Sequence, residues 1–188
     1  MYGLVNRAVE DLVKQMKGED GWRRVCAHAQ VGADGFVAVR SYPDDVTNRL
    51  VGSVSREMDL PAEKVLEAFG EYWILYTAEQ GYGEMLRSAG AGVREVLGNL
   101  NDMHGRIETA FPEMTLPYFF VEDIGDGEFE LIYESSRDGL APMVIGLVRG
   151  LAGRFGQRVV IDHVEGRAPG SPRDRFRVRV LAEAPFAV

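Results

Sequence analysis

The hydrophobic pattern is helical throughout the first half of this chain and turns to period two beyond residue 116, and that change decides the fold class. Leu4, Val5, Ala8, Val9, Leu12, Val13 and Met16 recur at helical spacing. Residues 22–29 read as a short second helix. Tyr42-Pro43-Asp44-Asp45 reads as a turn whose aspartate can cap a helix running to Met58. Leu60-Pro61 opens another helix over 62–80, with Val65, Leu66, Phe69, Trp73 and Tyr76 on one flank. Glycines at 81, 83, 90, 92 and 98 punctuate shorter pieces, and a further helix spans 93–110. After that the period falls to two. Residues 117–122 and 128–135 read as strands joined by the Gly125-Asp126-Gly127 hairpin signal. Residues 139–155 return to a helix, and 158–165 and 173–182 give two more strands. The order implies an α+β fold: an N-terminal helical lobe packed on a C-terminal lobe with an antiparallel sheet and helices. The 188 residues suit a single domain over 1–188, with the helical lobe at about 1–65 and the sheet lobe at about 66–188.

Composition removes several classes of function. The formal net charge of -8 argues against a nucleic-acid partner, because phosphate binding needs a basic surface. From Ile145 onward there are eight arginines and four acids, so the acidity lies in the rest of the chain. Arg173, Arg175, Arg177 and Arg179 alternate along the last strand and share one sheet face. That stripe is either a docking surface or a solvated face. Cys26 is the one cysteine, so the chain has no internal disulfide and no Cys-rich metal site, and it suits a reducing compartment. The N-terminal pattern carries Asn6, Arg7, Glu10 and Asp11, which makes it an amphipathic helix rather than a signal peptide. No stretch is apolar enough to span a membrane, so a cytoplasmic protein is expected. Nothing resembles a coiled coil, and a monomer is expected.

Three histidines are present, and one stands out. His104 falls between Leu97, Leu100, Ile107 and Phe111 at steps of three, four or seven, on the apolar stripe of its helix. An inward neutral imidazole is a good iron ligand, although taken alone such a residue is more often a hydrogen-bonded core histidine. His28 and His163 lack the spaced partners of a metal site.

The strand over 128–137 carries Phe129, Leu131, Tyr133, Ser135 and Arg137 on one face and Glu128, Glu130, Ile132, Glu134 and Ser136 on the other. The Glu-rich face belongs to water and the Phe/Leu face to the core. That inward face continues into a phenol, a hydroxyl and a guanidinium, three donors suited to the oxygens of a carboxylate. Buried donors without partners cost about 1–3 kcal/mol each, so an anionic group is expected there. The alternative places Arg137 past the strand end, paired with a local acid.

Tyr133-Glu134-Ser135-Ser136-Arg137 matches the Tyr-x-Ser-x-Arg motif of the haem–nitric oxide/oxygen-binding (H-NOX) family, which includes the haem domain of soluble guanylate cyclase. The chain resembles that family over essentially its whole length, from Met1-Tyr2-Gly3-Leu4-Val5 through Phe69-Gly70-Glu71-Tyr72-Trp73 to Ser135-Ser136-Arg137-Asp138-Gly139-Leu140. The resemblance implies haem b (iron protoporphyrin IX) between the two lobes. It makes His104 the axial ligand, presses Pro117 against the porphyrin, and has Tyr133, Ser135 and Arg137 hold the propionates. Oxygen-binding members carry a tyrosine where this chain has Met143, and its neighbours Val144, Ile145 and Leu147 are also apolar. Val5 and Val9 are expected to line the same distal pocket, and Trp73 brings the one indole donor near it. No zinc site of the kind some bacterial relatives carry is expected, since only His163 hints at it.

The resemblance then implies a sensor of nitric oxide and carbon monoxide at ferrous iron. Loss of the His104 bond would free its helix, with Gly105 allowing backbone adjustment and Pro117 letting the haem change shape. The chain stops soon after its last strand, so output is expected through a separate effector such as a histidine kinase or a cyclic-di-GMP enzyme. An oxygen-binding sensor and a haem-independent protein-interaction module are the alternatives. An enzyme is not expected, because no distal acid–base pair, Gly-x-Ser-x-Gly elbow or phosphate loop is present.

Overall fold

The computed structural model describes residues 1–77, 80, 82–125, 127–168 and 171–181. Six helices and four strands appear among them: α1 (Gly3–Ala29), α2 (Asp44–Met58), α3 (Ala62–Thr77), α4 (Gly83–Ser88), α5 (Val93–Ala110), β1 (Tyr118–Gly125), β2 (Glu128–Glu134), α6 (Ala141–Arg154), β3 (Arg158–Glu165) and β4 (Arg173–Leu181). The change of period predicted this order. The two helices expected before residue 30 are limbs of one kinked element, broken at Gly18 with φ 68° and ψ -176°, a conformation glycine adopts without steric cost. The expected continuation of α3 to Gln80 crosses residues 78 and 79, outside the described residues. So do the turn residue Asp126 and the strand end at Ala182.

The expected aspartate cap on α2 is not formed. Pro43 occupies the cap position and no side chain bonds the first turn. Asp44 and Asp45 lie inside that turn, where the positive helix end favours them. Their carboxylates are engaged elsewhere, Asp44 with the Met1 ammonium and Arg137, Asp45 with Arg49.

The sheet is antiparallel in the order β1-β2-β4-β3. Its inner rows align in register: Phe119 opposite Tyr133, Val121 opposite Leu131, Leu131 opposite Phe176, Phe129 opposite Val178. These side chains join Val93, Val96, Leu97 and Leu100 of α5 and Val144, Val148 and Leu151 of α6 in one core. A second core holds Val9, Val13, Trp22 and Val25 of α1, Leu50 and Val54 of α2, and Val65, Phe69 and Tyr76 of α3. α3 serves both, because Ile74 turns into the sheet core.

The two cores meet along α3 and α6, where glycines bring backbone against backbone. A Cβ on Gly146 would stand 1.9 Å from the Glu67 carbonyl oxygen, and one on Gly70 would stand 2.1 Å from that of Met143. Beside this seam Arg149 bonds Glu67 at 2.6 Å.

On the outer sheet face the arginine stripe meets carboxylates of the neighbouring strands. Arg173 pairs with Glu134 (2.8 Å), Arg175 with Glu130 (3.0 Å) and Glu165 (3.2 Å), and Arg179 with Glu128. The glutamates expected to face water are therefore only partly exposed. Between them Ile132 is buried, flanked in register by Phe120 and Arg175, since an arginine stem covers apolar surface while its head stays wet.

Candidate functional site

A cavity of about 260 Å³ opens between the two cores. A diatomic gas needs roughly the space of one water, ~10–15 Å³ on the same measure, so the cavity is shaped for a larger body. Val5 of α1, Trp73, Ile74 and Thr77 of α3, and Met143, Val144 and Leu147 of α6 line it. So do Leu100, Met103, His104 and Ile107 of α5 and the loop through Met114, Thr115, Leu116 and Pro117. Tyr133, Ser135 and Arg137 line it as well.

The apolar stripe of α5 brings His104 to this wall. Its Nδ1 lies 2.9 Å from the Pro117 carbonyl oxygen. A carbonyl only accepts, so Nδ1 carries the proton and donates it, and Nε2 keeps its lone pair. Burial pushes the His104 pKa below 6.5, against the opposing pull of that carbonyl bond and of Glu108, so the ring is neutral near pH 7. A neutral imidazole held through one nitrogen, with the other free, is the arrangement of a metal-ligating histidine and its supporting acceptor.

The motif residues reach the cavity by a different route from the one the alternation suggests. β2 ends at Glu134, so Ser135 and Arg137 lie in the turn beyond it. The Ser135 hydroxyl oxygen accepts the Arg137 backbone N–H at 3.0 Å, which fixes that turn. Tyr133 is buried, and burial pushes its phenol pKa up despite a bond with Ser135 and the nearby Arg167 charge. Arg137 does pair with an acid, but not a local one. Its Nε donates to Asp44 Oδ2 at 3.0 Å, and another guanidinium nitrogen donates to the Thr115 carbonyl at 3.0 Å.

Val5, Trp73 and Met143 stand on the cavity wall, as do Val144 and Leu147. Val9 does not. It is buried in the helical core, one turn further along α1, where the helix has passed the cavity. Ile145 packs on the sheet core instead. Reading the sequence missed Thr77, Tyr82 and Asp44. The Thr77 hydroxyl donates to the Trp73 carbonyl at 2.7 Å, so its proton is committed. Tyr82 and Trp73 both line the cavity, and neither ring donor has a hydrogen-bond partner among the described residues.

A polar cluster backs Tyr133. Arg167 bonds Asp174 at 2.9 Å and Asp138 at 2.6 Å, and its guanidinium lies 6.0 Å from the Tyr133 ring centre. His163 bonds the same Asp174 at 3.0 Å and stacks on Phe176. Among the described residues no group of three or more His, Cys, Asp or Glu side chains is arranged to hold a metal ion.

The residues fit a flat apolar group that bears a metal at its centre and carboxylates at its edge. The wall is apolar, one imidazole nitrogen is free, and three donors gather at the rim. Comparison with known proteins agrees. Residues 2–163 match the family model described as Haem-NO-binding. Soluble guanylate cyclase gcy-35 of Caenorhabditis elegans is 32% identical over 89% of this chain and 25% of its own length. Soluble guanylate cyclase gcy-32 of the same organism is 30% identical over 100% of this chain and 28% of its own. The chain thus spans about a quarter of these relatives. Among solved structures, an H-NOX protein from S. oneidensis in the Fe(II)NO state superposes with a TM-score of 0.85 at 21% identity, covering 97% of this chain and 100% of that one. An oxygen-binding H-NOX domain gives 0.80 at 18% identity, covering 96% and 95%. On its sequence, its fold and its cavity, this chain belongs to the Haem-NO-binding, or H-NOX, family.

Proposed function

We propose that this chain is a haem-based sensor of nitric oxide and carbon monoxide, and that it signals to a separate effector such as a histidine kinase or a cyclic-di-GMP enzyme. The observation that carries the reading is His104: Nδ1 is tied to the Pro117 carbonyl, and Nε2 is free beside an apolar cavity. When bound, haem b supplies a ferrous iron that takes a diatomic gas reversibly. His104 would hold the iron, and Tyr133, Ser135 and Arg137 would hold the haem carboxylates. Pro117 would bear on the ring. Val5, Met143 and Val144 would give the gas an apolar chamber, which suits ligands that need no hydrogen bond. The lone Cys26 suits a reducing cytoplasm.

One observation favours an oxygen-binding sensor instead. Trp73 and Tyr82 line the cavity, and neither the indole N–H nor the phenol has a hydrogen-bond partner among the described residues; a donor beside bound oxygen stabilises it. Visible absorption of the reduced protein under oxygen, carbon monoxide and nitric oxide separates the readings. The proposal expects changes with the last two and none with oxygen. A stable oxygen spectrum selects the second reading, and a protein that takes up no haem overturns both.

A further inference from the structure

Asn101 stands one helical turn before His104 on the same face of α5. Its amide makes two bonds to a single residue of β1. Nδ2 donates to the Phe119 carbonyl at 2.8 Å, and the Phe119 N–H donates to Oδ1 at 2.8 Å. In an antiparallel pair, successive residues aim their backbone groups alternately at the partner strand and away from it. β1 is an edge strand, so the Phe119 groups face outward, where an open edge would leave them unpaired. Asn101 offers a donor and an acceptor on one planar group, as a residue of a neighbouring strand would.

His104 supplies a second attachment to the same stretch of chain, two residues earlier, at the Pro117 carbonyl. The two points are about 4.5 Å apart along the helix axis and about 6.6 Å apart along the extended chain. A single attachment would let the helix turn about it. Two attachments this close together fix the rotation of the helix at His104, beside the more distant bonds of Arg94 to Asp123 and of the Leu116 N–H to Glu108. Phe119 ties the pair together, because its ring packs edge-on against His104 with centres 6.0 Å apart, and against Tyr133 at 5.3 Å.

We infer that Asn101 is a positioning residue for His104: its clamp on the Phe119 backbone sets the rotation of α5 and so the direction in which Nε2 is presented to the cavity. The clamp stands on geometry alone, and its bearing on gas sensing rests on the haem reading above.

Asn101→Leu removes both bonds. Asn101→Asp keeps the acceptor for the Phe119 N–H and loses the donor. Asn99→Ala is the control, breaking a bond from the same helix to the Ala89 carbonyl. Two readouts apply: amide exchange of Phe119 by NMR in the haem-free protein, and the iron–histidine stretching band in the reduced, haem-loaded protein. Asn101→Leu is expected to speed Phe119 exchange about tenfold and to shift or split the band. Asn101→Asp is expected to change both by less, and it carries the test alone should the leucine variant fail to fold. Asn99→Ala is expected to lower the melting temperature and leave both readouts where they were. An unchanged band in a variant whose Phe119 exchanges fast reduces Asn101 to an edge cover and overturns the inference. Unchanged Phe119 exchange removes the clamp itself. A parent protein that takes up no haem defeats the sensor reading, and the exchange rates still decide the clamp.

Discussion

Arg137 and Asp44 form an ion pair at 3.0 Å that ties the turn after β2 to the first turn of α2, 93 residues away. The same carboxylate receives the Met1 ammonium. One side chain therefore joins the N-terminus, the helical lobe and the rim of the cavity. Burial pushes the Asp44 pKa up, but the bonds and charges of the ammonium and of Arg137 outweigh it and hold the group below 3.8. A carboxylate with a depressed folded pKa stabilises fully above its unfolded value of about 3.9 and loses that contribution as the pH falls through the folded value. The Asp44 side chain is half exposed, so the pair is worth at most about 1 kcal/mol. Asp44→Asn should lower the urea midpoint slightly at pH 7, and the difference from the parent should shrink as the pH falls below 3.8. A difference that stays constant as the pH falls would remove the ion pair as its cause.

Removing the imidazole tests the metal reading directly. His104→Gly should abolish the native visible spectrum of the reduced protein, and millimolar imidazole in the buffer should restore it, because the cavity wall around residue 104 is left intact. A variant with the parent spectrum and no added imidazole would move the ligand elsewhere.

Distal chemistry is open to a gain-of-function test. Met143 lines the cavity with an apolar side chain. Met143→Tyr places a phenol donor on that wall, and an oxygen complex that survives in air is the expected result. Trp73→Phe should leave the parent's nitric oxide and carbon monoxide spectra unchanged. If it instead removes an oxygen complex seen in the parent, the indole was the donor.

The glycine seam between α3 and α6 allows no side chain. Gly146→Ala drives a methyl group to within 1.9 Å of the Glu67 carbonyl oxygen, and both elements must move apart to admit it. A loss of about 1–3 kcal/mol in unfolding free energy is expected. Gly153→Ala, on the same helix with open space at its Cβ, is the matching control and should be neutral or mildly stabilising. Equal effects at the two positions would mean that the seam is slack.

Cys26 is buried, and burial pushes its pKa up to about 11. At pH 8 almost none of it is thiolate, which is the reactive form. Iodoacetamide should leave the native protein unlabelled over hours and label it within minutes in urea. Rapid native labelling would show that α1 opens locally.

The sequence showed the parts of the site that follow from local periodicity. His104 lies on the cavity wall because residues 97, 100, 107 and 111 already placed it on the apolar stripe of a helix. Tyr133 follows from strand alternation, and Pro117 and Met143 from family resemblance. Contacts between distant segments left no local mark. Asp44 looked like a helix cap because the Pro-Asp-Asp pattern is the same whether the carboxylate turns back on its own helix or outward to Arg137. Under the family resemblance Val9 is expected on the cavity with Val5, yet one turn of helix carries it past the opening into the core. The Arg stripe of β4 could be read from its alternation, but the glutamates that neutralise it became its neighbours only once β2 and β4 had paired in register. Asn101 gave no signal of its own, because its role depends on the backbone groups of an edge strand 18 residues away.

The interleaved rows of carboxylates and guanidinium groups on the outer face of the sheet keep that face nearly neutral without any contribution from the core beneath it. Exchanging Glu128 or Glu134 for a neutral residue uncovers one arginine and costs little stability. The binding character of this surface can therefore drift one residue at a time while the fold and the cavity stay fixed.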